Sequence, residues 1–191
     1  MVREVRIHFE GHRSLRQGLG QFFRRWSSRP RVRLIAGGGR EDTMRDFVRG
    51  IWAHPESLVV LLVDLDGDDA AGLRTQLRTR VATIDPQLQV HFMVQVMETW
   101  FLADRQALRD FYGADLQEGR LPGNPRVEEI DKGDVLEGLH LATQKASKGC
   151  YHKTRHAPQL LARLDPERVA AAAPNCRGLL DILAEVAAAH R

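Results

Sequence analysis

Only two cysteines, Cys150 and Cys176, occur in the 191 residues. They are too few and too far apart for a disulfide framework or a zinc cluster, so both read as ordinary thiols of a reducing compartment. No apolar run approaches the length of a membrane span, and the opening MVREVRIHFE is charged and alternating where a secretory leader carries an apolar stretch. The expectation is a soluble, cytoplasmic protein with no membrane partner. Internal repeats and low-complexity linkers are also lacking. Lysine is scarce: of 28 basic residues only Lys132, Lys145, Lys148 and Lys153 are lysine, and three of these fall between positions 145 and 153. A lysine amine is a compact charge that approaches a phosphate closely, whereas guanidinium is a planar fork. A chain that otherwise uses arginine keeps amines there either for chemistry or as a solvated helix end. The formal charge of +3 suits a nucleic-acid partner without demanding one.

What is present alternates in a regular way. Val5 to Phe9 is a β-prone run ending on Glu10-Gly11, and Leu15, Leu19, Phe22, Phe23 and Trp26 then recur at helical spacing. Val32 to Ala36 is a second strand closed by Gly37, Gly38 and Gly39, followed by an amphipathic helix through Met44, Phe47, Val48 and Ile51. Leu58 to Val63 is apolar on both faces, as a central strand covered by helices on each side must be, and it ends on Asp64-Leu65-Asp66-Gly67-Asp68-Asp69. A helix over 70–84, a strand over 90–97 and a helix over 99–111 follow. Strands alternating with helices predict an α/β fold with a mostly parallel four-stranded sheet flanked by helices.

After residue 112 the text is polar and turn-rich to Gly133, with a short helix expected at 127–130. Helices are then expected at 135–147, 156–164, 166–173 and 177–189, the third opened by Asp165-Pro166-Glu167 with an aspartate cap and a proline at its first position. This divides the chain into an α/β core, 1–112, and a loop with a C-terminal helical extension packed on it, 113–191.

Ligands of open parallel sheets sit beyond the carboxyl ends of the strands, and Glu10, Asp64 with Asp66, and Glu98 stand at three such ends. Two aspartates at i and i+2 can direct both carboxylates to one side, which suits a hard, oxygen-preferring ion such as magnesium. Glu10 then completes the site or serves as general acid or base. Asp68 and Asp69 are better placed to cap the next helix. Glu98 reads equally as a carboxylate favouring a helix N-terminus, and Trp100, Phe101 and Leu102 read as core. His156 is either a phosphate-side acid near the lysines or a structural residue before Pro158. The three glycines at 37–39 lack a following Lys-Ser or Lys-Thr and are not a Walker motif.

The order strand-Glu-Gly, glycine-rich turn, apolar strand-Asp-Leu-Asp-Gly resembles the Toprim domain of topoisomerases, DnaG-type primases and OLD-family nucleases. The segments Met97-Glu98-Thr99-Trp100-Phe101-Leu102-Ala103-Asp104 and Lys148-Gly149-Cys150-Tyr151-His152-Lys153 resemble a family of short bacterial Toprim-like proteins catalogued as a domain of unknown function. Genes of that family often lie beside ABC-type ATPases, and OLD-type and RloB-type proteins are its more distant relatives. The resemblance implies a nuclease, acting on DNA or RNA with magnesium or manganese, with an ATPase partner in anti-phage defence or DNA repair. In it Asp64 and Asp66 are metal ligands, Glu10 is ligand or acid/base, and a lysine stabilises the phosphate charge; Lys148 and Lys153, with His156 near them, are the candidates in this sequence for the phosphate side. Many OLD-type relatives carry a further acid a turn beyond Glu-Gly; here His12-Arg13-Ser14 stands there, leaving Glu98 to supply the missing carboxylate. The rival readings are a non-catalytic Toprim-fold subunit of an ATPase complex and a receiver-like phosphoacceptor, although the latter needs an acidic pair at the first strand end, where only Glu10 stands.

Overall fold

The computed structural model describes residues 4–26 and 30–189; the extreme ends of the two expected domains, 1–3 and 190–191, lie outside the described residues. Four strands, Val5–Glu10 (β1), Val32–Gly38 (β2), Leu58–Asp64 (β3) and Val90–Met93 (β4), form one all-parallel sheet in the order β2-β1-β3-β4. Helices Leu15–Arg25 (α1), Arg40–Ala53 (α2), Ala70–Arg80 (α3) and the short Pro86–Gln89 (α4) make the crossovers. The protein is thus an α/β fold with helices on both faces of the sheet.

The double-sided hydrophobicity of β3 is used as its sequence predicts. Leu58, Val60 and Leu62 join the larger core with Phe22 of α1, whereas Val59, Leu61 and Val63 join a second cluster with Met44 and Phe47 of α2 and Leu77 of α3. Every residue of β3 is buried. The later helices, Thr99–Ala103 (α5), Arg105–Tyr112 (α6), Lys132–Thr143 (α7), Lys153–Leu161 (α8), Pro166–Ala172 (α9) and Pro174–Ala188 (α10), add their apolar residues to the first cluster, on the α1 side. Trp100 of α5 stacks on Phe22, with ring centroids 5.2 Å apart. Gly18 of α1 lets α8 come close: a Cβ there would lie 2.3 Å from the Pro158 carbonyl oxygen.

The helices expected over 135–147 and 156–164 both begin and end earlier, at Lys132–Thr143 and Lys153–Leu161, and within the α/β core three elements end earlier than their periodicity predicts. The strand expected over 90–97 stops at Met93, because Gln95 turns into the left-handed region (φ 53°) and its carbonyl accepts the Asp66 N–H. The helix expected over 99–111 is broken at Asp104, whose buried carboxylate accepts from the Asp165 N–H (2.8 Å) and from Arg168 (3.2 Å) and so anchors the start of α9. The helix from Ala70 ends at Arg80, four residues short of the expected Ile84. The caps fall as expected: Asp69 accepts from the Ala71 and Gly72 N–H groups, and Asp165 from Glu167.

Candidate active site

The strand order places a switch point between β1 and β3: the chain leaves β1 towards β2 on one side and β3 towards β4 on the other. Helices diverge to opposite faces there and leave a crevice at the carboxyl edge. Glu10 is the last residue of β1 and Asp64 the last of β3. The Asp64 N–H donates to Glu10 Oε2 at 3.3 Å, so the two acids are neighbours.

Asp64 Oδ1 accepts from the Met97 N–H at 2.8 Å, which aims Oδ2 at the Lys153 ammonium, 3.6 Å away. Glu98 follows Met97 and is wholly buried. Its Oε1 accepts the Tyr151 hydroxyl at 2.8 Å, while Oε2 lies 3.6 Å from the same Lys153 nitrogen and receives no hydrogen bond. One ammonium, carried on the first residue of α8, therefore stands between two carboxylates from β3 and the segment after β4. Arg40, the first residue of α2, closes the other side: its guanidinium reaches Glu10 (3.5 Å), pairs with Asp68 and donates to the Asp64 carbonyl.

The electrostatics follow from burial and crowding. Burial pushes Asp64 up to about 7, Glu98 and Glu10 push the same way, and Lys153 and the Met97 N–H oppose them. Burial would lower Lys153, but Glu98 and Asp64 override it and hold the amine above its ordinary value. Burial, reinforced by Glu98, pushes the Tyr151 phenol well up, so it remains a donor.

Of the residues singled out in the sequence, Glu10, Asp64, Glu98 and Lys153 come together. Asp66 does not: its backbone is left-handed (φ 58°), a conformation aspartate tolerates better than most residues, and its carboxylate pairs with Lys132. Lys148 lies over the Phe111 ring, 5.3 Å from its centroid, and Lys145 is exposed. His156 is buried among Phe111, Tyr112 and Tyr151 and hydrogen-bonded to the Tyr112 hydroxyl (3.0 Å), a packing position away from the carboxylates. Arg40, Lys132 and Tyr151 were not singled out beforehand. Arg40 had a signal, since it stands where three glycines open a helix beyond a strand end.

Magnesium is held by one or two carboxylates with water and substrate phosphate completing its shell. Among the described residues no three histidine, cysteine, aspartate or glutamate side chains are grouped to hold a metal. Two hard donors, Asp64 Oδ2 and Glu98 Oε2, do converge on one point, now held by an ammonium, and the second of them is a buried oxygen without a hydrogen bond. Asp64 and Glu98 are thus the two residues that could hold such an ion, and Glu10 adjoins the Asp64 backbone N–H.

Fold and crevice together define a doubly wound α/β protein with a carboxylate–lysine centre at its switch point. The chain belongs to the family described as Domain of unknown function (DUF4276), whose model matches residues 7–184. No curated protein and no solved structure matches it. No helix among the described residues is long and apolar enough to cross a membrane.

Proposed function

We propose that this protein is a magnesium- or manganese-dependent phosphodiesterase acting on DNA or RNA, a cytoplasmic Toprim-like nuclease working with an ABC-type ATPase in anti-phage defence or DNA repair. The observation that carries the reading is the convergence of Asp64 and Glu98 on a single cationic point at the carboxyl edge of β3. Asp64 and Glu98 would hold the ion, which when bound supplies Lewis-acid polarisation of the phosphodiester. Lys153 offers its ammonium to the phosphate oxygens as charge grows there, and Tyr151 fixes the Glu98 carboxylate. Glu10, held by Arg40, orients the attacking water or takes its proton. Asp66 lies outside this set unless it leaves Lys132. The nucleic-acid substrate and the ATPase partner rest on the Toprim resemblance.

A second reading has its own observation: Asp64 and Glu98 share Lys153, Asp66 has Lys132, and Glu10 and Asp68 have Arg40. Carboxylates so paired would serve a non-catalytic binding subunit equally well. Incubating the protein, alone and with the neighbouring ATPase, with plasmid, single-stranded DNA and tRNA in magnesium, manganese or EDTA separates the two. The nuclease reading requires metal-dependent cleavage that is lost in Asp64→Asn and Glu98→Gln.

A further inference from the structure

Away from the carboxylates, four arginines line one groove along the open edge of the sheet. β2 is one of the two edge strands, paired only with β1. Arg31 and Arg33 stand at its start, and Arg16 and Arg24 face them from α1 across a groove of about 340 Å³. Arg16, Gly20 and Arg24 are spaced four residues apart and so share one helix face, with the two arginines about 12 Å apart along the axis. Gly20 is the floor between them: a Cβ there would lie 3.4 Å from an Arg24 Nη1 and 3.7 Å from a Leu34 methyl. The glycine leaves the trough open beneath the arginines.

The charge in this groove is unbalanced. Glu4 is the one acid lining it, its side chain is 17% exposed, and its two oxygens are taken by Arg6 (2.6 Å) and Arg31 (3.5 Å). All four arginines are exposed, and Arg16, Arg24 and Arg33 make no ion pair among the described residues. Exposed guanidinium charges spaced in this way suit the phosphodiester oxygens of a polyanion, which they neutralise with release of counterions. The groove also has a direction. In a parallel crossover α1 runs antiparallel to its strands, so Arg16 lies towards the carboxyl edge, where Glu10 ends β1, and Arg31 and Arg33 lie towards the opposite edge.

We propose that this groove is a sequence-independent docking track for the sugar–phosphate backbone of a nucleic acid, leading to the carboxylate crevice. The track extends the nuclease reading by assigning a substrate-holding surface, but it binds without metal and without cleavage, so its test does not depend on that reading.

The test is fluorescence anisotropy in EDTA, with labelled single-stranded DNA, duplex DNA and RNA, for the parent, Arg24→Gln/Arg33→Gln, the lysine pair Arg24→Lys/Arg33→Lys, and Arg78→Gln/Arg80→Gln. The last pair removes the same charge from exposed positions on α3, on the other face of the sheet. The groove glutamine pair should weaken binding roughly tenfold or more at ~0.1 M salt. It should also flatten the dependence of log K on log salt by about 1.4 on single strands and about 1.8 on duplex, two phosphate contacts' worth of counterion release. The lysine pair should retain most of the affinity and the α3 pair all of it, with unchanged circular dichroism throughout. Equal loss in the α3 pair, no loss in the groove pair, or binding only to phosphatidylserine vesicles would each overturn the proposal. Cleavage by a groove variant with undiminished binding would sink the track and leave the nuclease standing; groove-dependent binding without cleavage in any metal would do the reverse.

Discussion

The Lys153 ammonium stands 3.6 Å from Glu98 Oε2, a buried oxygen that receives no hydrogen bond. A fully buried carboxylate with half its acceptor capacity facing a single cation depends on that cation or on a replacement for it. Lys153→Met should therefore destabilise the fold in EDTA by about 1–2 kcal/mol after allowing for the half-exposed lysine, read as a lower melting temperature. Magnesium should raise the variant's melting temperature more than the parent's, because the ion then meets no resident ammonium. Paired thermal melts decide this; an equal magnesium response would mean that lysine and ion do not share a place.

Asp64→Asn and Glu98→Gln should abolish the magnesium-induced rise in melting temperature, since a neutral amide is a far weaker donor to a hard dication. Asp66→Asn should keep most of it, because Asp66 pairs with Lys132 away from the convergence point. Titration calorimetry with magnesium alone reads the same contrast. If Asp66→Asn loses binding as fully as Asp64→Asn, the Asp66 side chain belongs to the ion site and the Lys132 pair is a resting arrangement.

Two titrations pull stability in opposite directions across overlapping pH windows. Asp64 is raised from 3.8 to about 7, so its contribution is full below the lower value and is lost as pH rises through the upper one. On its own this lowers the melting temperature in EDTA as pH rises from about 4 to about 7, and Asp64→Asn should remove that fall. Burial, aided by Arg6 and His54 and opposed by Asp46, holds His8 down at about 4 from an ordinary 6.5. Its contribution is full above 6.5 and lost as pH falls towards 4, on the order of 2–3 kcal/mol when complete. His8→Leu should remove this rise and leave the opposing Asp64 fall in place, a result that melts at half-unit pH steps can show or refute.

Gly18→Ala tests how the helical half is held. The added methyl would sit 2.3 Å from the Pro158 carbonyl oxygen and 2.8 Å from Leu161 Cβ, and relieving that contact costs roughly 1–3 kcal/mol against about 1 kcal/mol gained in helix propensity. Because Lys153 begins the displaced helix, the variant should lose stability and, on the proposed nuclease reading, also cleave more slowly at temperatures where it is fully folded. Slower unfolding or unchanged activity per folded molecule would show that α8 adjusts without moving the amine.

Much of this was legible in the sequence for simple reasons. A run apolar on both faces must be a central strand, and the residue that ends it must lie at the sheet's carboxyl edge, so β3 and Asp64 follow from Leu58 to Asp64 alone. Glu10 follows as the residue that ends the alternating, β-prone run Val5 to Phe9. Asp66 looks equivalent to Asp64 on paper, but which way it points is set by a backbone bond from its N–H to the Gln95 carbonyl, a partner outside its own segment. Lys148 and Lys153 differ only in where the chain resumes its helix after the left-handed Gly149 (φ 85°), and that start at Lys153 selects the amine. His156 and Tyr112 found each other across the packed helices, a meeting no local spacing announces. Arg40 joined the crevice because α2 begins directly after the glycines, which placed its first side chain over Glu10.

The close seating of α8 on α1 fixes when in the protein's life its charges meet. The carboxylates belong to residues 10, 64 and 98, whereas the amine between two of them belongs to residue 153. A chain still emerging from the ribosome can complete its sheet while Glu98 waits for both Tyr151 and Lys153. The carboxylate–lysine centre is therefore completed only when most of the polypeptide has been made, and an interrupted translation product carries the acids without the cation that stands between them.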